Sequence, residues 1–199
     1  MLDEHDQLVV IRGLRDGSRE AWTALYDKYS ADVWRYVGRL VGTHATDVAD
    51  VVQETFLAAA RTARQFEPSR GTLWSWLAGI AHHQAAAYWR QIGKTARLRA
   101  LAETRGLELR QSLDGSQLPD ELCERRELID LVRCALSELS ADYAALLTAK
   151  YLDEQSLDEL ARQFGTSIDA VKSKLARARR EFRATFASLT SESTPMVGE

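Results

Sequence analysis

The chain has few of the residues that interrupt helices or cross-link a fold. Its 199 residues include three prolines, eleven glycines and two cysteines, and no stretch alternates apolar and polar residues. This composition argues against a β architecture and predicts an all-α fold. Cys123 and Cys134 lie eleven positions apart in a segment of helical character. That spacing is roughly 16 Å along a helix axis, so we expect free thiols rather than a disulfide.

Long apolar runs are also missing. No stretch approaches the roughly 18 residues that indicate a bilayer-spanning helix, and the N-terminus, Met-Leu-Asp-Glu-His-Asp, is acidic. Secretory signal peptides begin with positive charge instead. The sequence therefore predicts no membrane insertion and a cytoplasmic location.

Signatures of catalysis and metal binding are absent as well. The sequence has no Gly-rich phosphate loop, no nucleophile elbow and no His-Glu-x-x-His helix. His82 and His83 are adjacent, so on a helix they point about 100° apart, and no carboxylate follows four residues later. We expect no catalytic residue, no metal, no cofactor and no small-molecule substrate.

Charge is distributed unevenly although the net charge is only -3. Residues 112–160 carry four cations against twelve anions, whereas residues 161–183 carry seven cations against two anions. An acidic block directly before a basic helix is typical of a protein with one DNA-binding face and one protein-binding face.

Apolar periodicity predicts helices at about 3–14, 18–41, 46–65, 72–90, 120–138, 141–152, 156–163 and 167–186. Residues 91–119 contain few large apolar side chains and end in a polar, Pro-containing stretch, which indicates a flexible connector. Their first part is also compatible with an extension of the fourth helix. We predict a helical domain at 1–92, a linker at 93–119, a second helical domain at 120–187 and a flexible tail at 188–199.

The second predicted helix has apolar residues that recur at steps of three and four, the spacing of an amphipathic helix. They are Trp22, Leu25, Tyr26, Tyr29, Val33, Tyr36, Val37 and Leu40.

Residues 156–180 have the pattern of a helix-turn-helix. Ala161 is small enough for two helices to touch, Gly165 can adopt the positive φ of the turn, and Val171 packs the second helix onto the first. In DNA-binding examples the second helix lies in the major groove.

The second helix of this motif carries the candidate DNA-reading residues. One face combines Lys172, Ser173, Arg177 and Arg180, whose side chains can donate to base edges. Lys174 and Arg179 flank that face and suit phosphates. The alternative is a solvated basic helix in a helical bundle.

The third predicted helix carries an acidic stripe. Asp50, Gln53, Glu54 and Leu57 follow helical spacing and share one outer face. Such a stripe can accept Arg and Lys side chains of a partner protein. Taken alone, a solvated helix face explains it better.

Residues 66–90 are rich in both aromatic and basic side chains. Aromatic rings beside cations can stack on unpaired bases at about 1–3 kcal/mol each. The alternative places Trp76, Ile80 and Trp89 in the core, and for Trp76 we expect that outcome.

Taken together, these segments resemble the RNA polymerase sigma factors of the extracytoplasmic-function (ECF) group. Residues 47–57, Asp-Val-Ala-Asp-Val-Val-Gln-Glu-Thr-Phe-Leu, resemble the helix that binds the clamp coiled coil of core polymerase. Residues 66–81 resemble the segment that opens and reads the −10 promoter element. Ala135-Leu-Ser-Glu-Leu-Ser, Tyr151 and the helix-turn-helix resemble the −35-reading domain.

The resemblance implies a transcription initiation factor that is not an enzyme. Its implied partners are core RNA polymerase, through the clamp coiled coil and the flap, promoter DNA and an anti-sigma factor. It assigns core binding to Asp50, Gln53 and Glu54. It assigns the −10 element to Arg70, Trp74, His82, His83 and Arg90, and the −35 element to Lys172, Ser173, Lys174, Arg177, Arg179 and Arg180.

Several positions depart from the family pattern. His82-His83 stands where the family has Arg-Asn, and Ala87 stands where an Asp is usual. Ser140, Ala144 and Ala176 replace a Pro, an Arg and a larger side chain. These departures bear on which −10 and −35 sequences are preferred.

Two other classes remain open at this point. A stand-alone helix-turn-helix regulator would bind its operator without polymerase. A sigma-like adaptor that no longer reads promoters would bind polymerase without starting transcription.

Overall fold

A computed structural model describes residues 4–42, 44–106 and 120–192, with side chains for 9–42, 44–93 and 128–190. Within these ranges the chain forms eight α-helices and no β-strand. The helices are α1 (Glu4–Asp16), α2 (Arg19–Val41), α3 (Ala45–Thr62), α4 (Leu73–Gly106), α5 (Asp120–Glu138), α6 (Ala141–Tyr151), α7 (Leu157–Gln163) and α8 (Ile168–Glu192). The predicted all-α class is confirmed.

The first four helices form one bundle. Ser18 caps α2 by accepting a hydrogen bond from the Ala21 backbone N–H at 3.3 Å. Gly13 lets α1 and α2 approach closely, because a Cβ at that position would stand 2.6 Å from the Ala21 Cβ. Leu25, Val33 and other apolar residues of α2 fill the centre of this bundle.

The last four helices include the predicted helix-turn-helix. A capping box starts α7, in which the Ser156 hydroxyl accepts from the Glu159 backbone N–H and the Glu159 carboxylate accepts from the Ser156 N–H. Gly165 has φ of +61°, as the turn requires. Val171 is fully buried and packs α8 back onto the motif. The turn geometry expected from Ala161, Gly165 and Val171 is therefore confirmed.

Helix α4 connects the two bundles. It packs against α2 and α3 of the first bundle and against α5 and α6 of the second. Buried residues of both bundles belong to one continuous hydrophobic cluster. The two bundles therefore touch each other along α4.

Two helices extend beyond the bounds predicted for them. Residues 93–106 continue α4, which is the helical extension that the sequence left open. Residues 188–192 continue α8, while 107–119 and 193–199 lie outside the described residues. Tyr26 belongs to the apolar series of α2 but is 53% exposed. None of the described helices is long and apolar enough to cross a membrane.

Candidate polymerase and nucleic-acid interfaces

The basic face of α8 is open to solvent. Lys172, Ser173, Arg177 and Arg180 are all exposed, while Val171 turns to the opposite, buried side. Helical spacing produces this segregation, because apolar and basic residues occupy different phases of the 3.6-residue repeat. Arg177 is held along the helix by a hydrogen bond from its Nε to the Ser173 carbonyl oxygen at 3.4 Å. The arrangement can present several donors to a groove at once.

Lys174 and Arg179 lie at the edges of this face and contact the neighbouring helix α6. The Lys174 Nζ is 3.2 Å from an Asp142 carboxylate oxygen, and the Arg179 Nη1 donates to the Tyr151 hydroxyl at 3.1 Å. These contacts involve exposed groups, so each stabilises the fold by about 1 kcal/mol or less. Both cations can exchange such partners for phosphates.

The acidic stripe on α3 is also open. Asp50, Gln53, Glu54 and Leu57 are exposed, and Val48, Val51, Val52 and Thr55 are buried on the other side of the helix. The predicted division of α3 into two faces is confirmed. The four side chains of the stripe therefore face solvent and take no part in the packing of the core.

Asp47 has a different role from the carboxylates of the stripe. It accepts a hydrogen bond from the Tyr88 hydroxyl at 2.8 Å, which ties α3 to α4. Burial, together with this hydrogen bond and the Asp47 charge, raises the pKa of Tyr88 to about 12. The link fixes the orientation of α3 relative to α4.

An aromatic patch beside the stripe was missed by the sequence reasoning. The exposed ring of Tyr26 lies 4.9 Å from the ring of Phe56, centroid to centroid. Helical phase gives no signal for it: relative to Leu25, Tyr29 and Val33 lie at about 40° and 80° around the helix and Tyr26 at about 100°, so Tyr26 shares their apolar side. An exposed aromatic residue next to the stripe enlarges the surface available to a protein partner.

The predicted −10 residues fall into two groups. Arg70, His83 and Arg90 are exposed, and the Arg70 Nε pairs with a Glu67 carboxylate oxygen at 2.8 Å. Trp74 and His82 are buried, at 7% and 3% exposure. The structure thus leaves Arg70, His83 and Arg90 accessible and buries the rings of Trp74 and His82.

Trp74 lies among the aromatic residues of α2. Its ring is 6.5 Å from Tyr29 in a stacked arrangement and 6.1 Å from Tyr36 in an edge-on arrangement. Its Nε1 has no hydrogen-bond partner among the described residues. A buried donor without a partner is unfavourable, so this indole N–H is available to an acceptor that reaches it.

His82 lies where the two bundles meet. Its Nε2 is 2.9 Å from the carbonyl oxygen of Leu139, directly after α5; because a carbonyl oxygen can only accept, the Nε2–H donates there. Burial lowers the pKa of His82, the Leu139 carbonyl partly opposes this, and neighbouring His83 lowers it further. No cluster of His, Cys, Asp or Glu suited to a metal occurs among the residues with described side chains.

Comparison with known proteins matches both halves of the chain. The sigma-70 region 2 family model matches residues 25–95, and the sigma-70 region 4 family model matches residues 129–182. These segments contain the acidic stripe of α3, the proposed −10 residues and the helix-turn-helix.

Similar proteins extend the match over most of the chain. The ECF RNA polymerase sigma factor SigL of Mycobacterium tuberculosis is 31% identical over 166 residues, which cover 83% of this chain and 89% of SigL. SigX of Bacillus subtilis, also an ECF RNA polymerase sigma factor, is 27% identical over 87% of each chain. Among solved structures, CnrH in complex with the cytosolic domain of CnrY has 21% identity and a TM-score of 0.46, covering 94% of this chain and 99% of that chain.

Family membership favours one of the classes that the sequence left open. Sigma-70 regions 2 and 4 bind core RNA polymerase and promoter DNA, and this chain carries both in that order. The chain therefore belongs to the ECF RNA polymerase sigma factors and is a promoter-directed transcription initiation factor, not an enzyme.

Proposed function

We propose that three surfaces on three helices divide the work of initiation in this chain: α3 binds core polymerase, α4 reads and opens the −10 element, and α8 reads the −35 element. The observation that carries this proposal is the separation of charge on exposed faces. The α3 stripe is acidic and the α8 face is basic. A DNA-binding surface requires cations and a docking surface for basic protein side chains requires anions.

For α8 the proposed contacts follow from exposure and donor geometry. Lys172, Ser173, Arg177 and Arg180 reach base edges of the −35 element, while Lys174 and Arg179 bind its phosphates. Bidentate donation from Arg to guanine O6 and N7 makes Arg177 the strongest candidate for a sequence-reading residue.

For α3 the proposed partner is the clamp coiled coil of core polymerase. Asp50, Gln53 and Glu54 accept hydrogen bonds from its basic side chains, with Leu57 supplying apolar contact. The Tyr26–Phe56 pair, 4.9 Å apart at the ring centroids, extends this contact on one side. We also propose that the second domain contacts the polymerase flap.

For α4 and the segment just before it, we propose that Arg70, His83 and Arg90 bind the −10 strand. Trp74 and His82 join them when the covering groups move, and unpaired bases then stack on the exposed ring. Holding bases in the unpaired state favours strand separation near the start site. His82 and His83, in place of the family's Arg-Asn, alter the preferred −10 bases.

We further propose that the protein acts in the cytoplasm and is held inactive by an anti-sigma factor. A cleft of about 610 Å³ between α2 and α5 supports a partner site, since exposed Trp34, Leu128 and Ile129 lie along it. Exposed apolar residues that cluster beside a cleft favour a protein contact. Arg35, Arg39 and Arg133 at its rim suit an acidic partner segment.

Run-off transcription with purified core polymerase on a promoter library tests the proposal. We expect transcripts from a subset of promoters that share two elements, and only when core is present. Tight DNA binding without core would instead indicate a stand-alone regulator. Core binding without any transcript would indicate an adaptor that no longer reads promoters.

A further inference from the structure

Four arginines gather at one end of the first bundle. Arg12 and Arg15 are three positions apart on α1, so they share one side of that helix. Arg61 and Arg64 are also three positions apart, where α3 ends and the chain continues into a single 3₁₀ turn at Ala63–Gln65. All four side chains are exposed. We call these four residues the arginine patch.

Two hydrogen bonds bring the two halves of the patch together. The Arg15 Nη2 donates to the Phe66 carbonyl oxygen at 2.5 Å, and the Arg64 Nε donates to the Arg15 carbonyl oxygen at 3.4 Å. Each bond uses one of the five N–H donors of a guanidinium. Because a carbonyl acceptor carries no net charge, these bonds orient both side chains and leave their positive charges unbalanced.

The patch has little opposing charge around it. None of the four arginines forms an ion pair with a carboxylate within the ranges whose side chains are described. Asp16 lines the same cleft as Arg12 and Arg15. Glu67 is already paired, at 2.8 Å from the Arg70 Nε. Like charges held close together are unfavourable, and an anionic partner across the patch would balance them.

A cleft of about 830 Å³ adjoins the patch, between α1 and Pro68. Val9, which is 60% exposed, and Pro68 give it apolar surface, and Arg12 and Arg15 give it positive charge. Its volume is within the range of about 300–1,000 Å³ that is typical of ligand sites. Apolar surface beside cations suits an unpaired nucleotide, which combines the flat face of a base with an anionic phosphate.

The patch also continues the proposed −10 surface. Phe66, whose carbonyl oxygen accepts from Arg15, comes four residues before Arg70 in the chain. Arg90 lies at the opposite end of that surface, far along α4. In the proposed function, strand separation proceeds from the −10 element toward the start site, so unpaired DNA leaves the −10 surface in that direction. The patch offers this strand a further cationic contact.

We propose that the arginine patch and its cleft bind the unpaired promoter strand between the −10 element and the start site. This role depends on the proposed binding of the −10 strand by α4 and adds a contact beyond it. Arg12 and Arg15 precede residues 25–95, which match the sigma-70 region 2 family model. The patch contacts phosphates, which carry no sequence information directly, so it holds the strand whatever sequence follows the −10 element.

Forked promoter probes test this role. Each probe carries both elements of a promoter selected in the run-off experiment, and its unpaired strand either ends at the last base of the −10 element or continues for six nucleotides. The full chain in complex with core polymerase is titrated with both probes. The test variant combines Arg12→Ala with Arg61→Ala, since neither side chain forms a hydrogen bond with another described residue. The matched control combines Arg162→Ala with Arg183→Ala, two exposed arginines of the second bundle.

We expect the six added nucleotides to tighten binding at least tenfold for the unchanged chain and for the control, and no more than threefold for the test variant. Loss of two phosphate contacts should also reduce the slope of log affinity against log salt for the longer probe by about 1.4, since a single strand contributes about 0.7 for each contact. No gain in the unchanged chain, or an equal gain in the test variant, would overturn the proposal. If neither probe binds the complex of the unchanged chain, the proposed −10 role fails as well.

A photoreactive base makes a second test that needs no substitution. With 4-thiothymidine at the third added nucleotide, we expect irradiation of the complex with core polymerase to crosslink the strand to residues 9–16 or 61–70 of the chain. Crosslinks confined to the polymerase subunits would overturn the proposal. Core binding without DNA should be the same for the unchanged chain and for Arg12→Ala with Arg61→Ala. Weaker core binding by that variant would mean that the patch contacts protein instead of DNA.

Discussion

The proposed −35 and −10 surfaces differ in what they contact within the free protein. The α8 face consists of exposed cations on one side of a helix whose other side is buried. The proposed −10 surface, formed by α4 and the segment before it, contains exposed Arg70, His83 and Arg90, but its rings at Trp74 and His82 are covered. The difference indicates that −35 reading needs no internal change in the protein, whereas complete −10 reading requires side chains to leave a packed environment.

Removing a covered ring should affect stability more than any change at the open face. We expect Trp74→Ala to lower the free energy of unfolding by about 3–5 kcal/mol, because it leaves a large cavity beside Tyr29 and Tyr36. Chemical denaturation of the full chain measures this. Trp74→Phe is the matched control and should lose less. A Trp74→Ala variant as stable as the unchanged chain would mean that this ring is not part of the core.

The acidic stripe on α3 is open like the α8 face, so charge reversal there should leave the fold intact and act on binding. We expect Asp50→Arg with Glu54→Arg to weaken core-polymerase binding by about 100-fold or more, since like charges would then meet across the contact. Circular dichroism should be unchanged. Asp16→Arg with Glu138→Arg makes an equal charge change at two other exposed acids and should retain binding. Equal losses in both double variants would mean that net charge, not the stripe, determines affinity.

At the open α8 face, truncation should act on sequence reading alone. We expect Arg177→Ala to cost about 1–3 kcal/mol at one position of the −35 element and to leave the melting temperature unchanged. Lys174→Ala is the comparison, because loss of a phosphate contact weakens all sequences alike and reduces the salt dependence. Binding to a set of single-base promoter variants distinguishes the two. Equal weakening of binding to every promoter variant by Arg177→Ala would mean that Arg177 contacts phosphates rather than bases.

The contact at His82 should respond weakly to acid. Burial lowers its pKa in the folded chain, whereas a solvated imidazole has a pKa of about 6.5. Above that value His82 is neutral in both the folded and the unfolded chain, and the contact contributes its full stability. As the pH falls below it, the unfolded chain takes up a proton and the folded state loses stability.

We expect the free energy of unfolding of the full chain, measured by chemical denaturation, to fall by about 1 kcal/mol through His82 between pH 7.5 and pH 5.5. His82→Gln can still donate to the Leu139 carbonyl oxygen but does not titrate, so it should lose less stability over this pH range. The same pH dependence in His82→Gln would assign the effect to another group.

The positions of some side chains could be predicted from the sequence, and those of others could not. Helical phase correctly predicted that Val171 and Val51 are buried. It also predicted correctly that Arg177 and Glu54 are exposed, because the side of a helix on which a residue lies depends only on its spacing from neighbours in that helix. Phase failed for Tyr26, which lies between the angular positions of buried Val33 and Val37 on α2 and is nevertheless exposed. For Trp74 and His82, helical phase could predict the side of α4 on which each residue lies. It could not predict which other part of the chain covers that side.

The sequence by itself determined the all-α class, the turn at Gly165, the acidic stripe and the basic face, because each follows from local periodicity and residue chemistry. Only the tertiary structure decided that the Leu139 and Gln163 carbonyl groups reach His82 on α4 and Thr72 just before it. Those pairs are separated by 57 and 91 positions in the chain. Contacts over such separations depend on how whole helices pack, and no periodicity within a single helix specifies them.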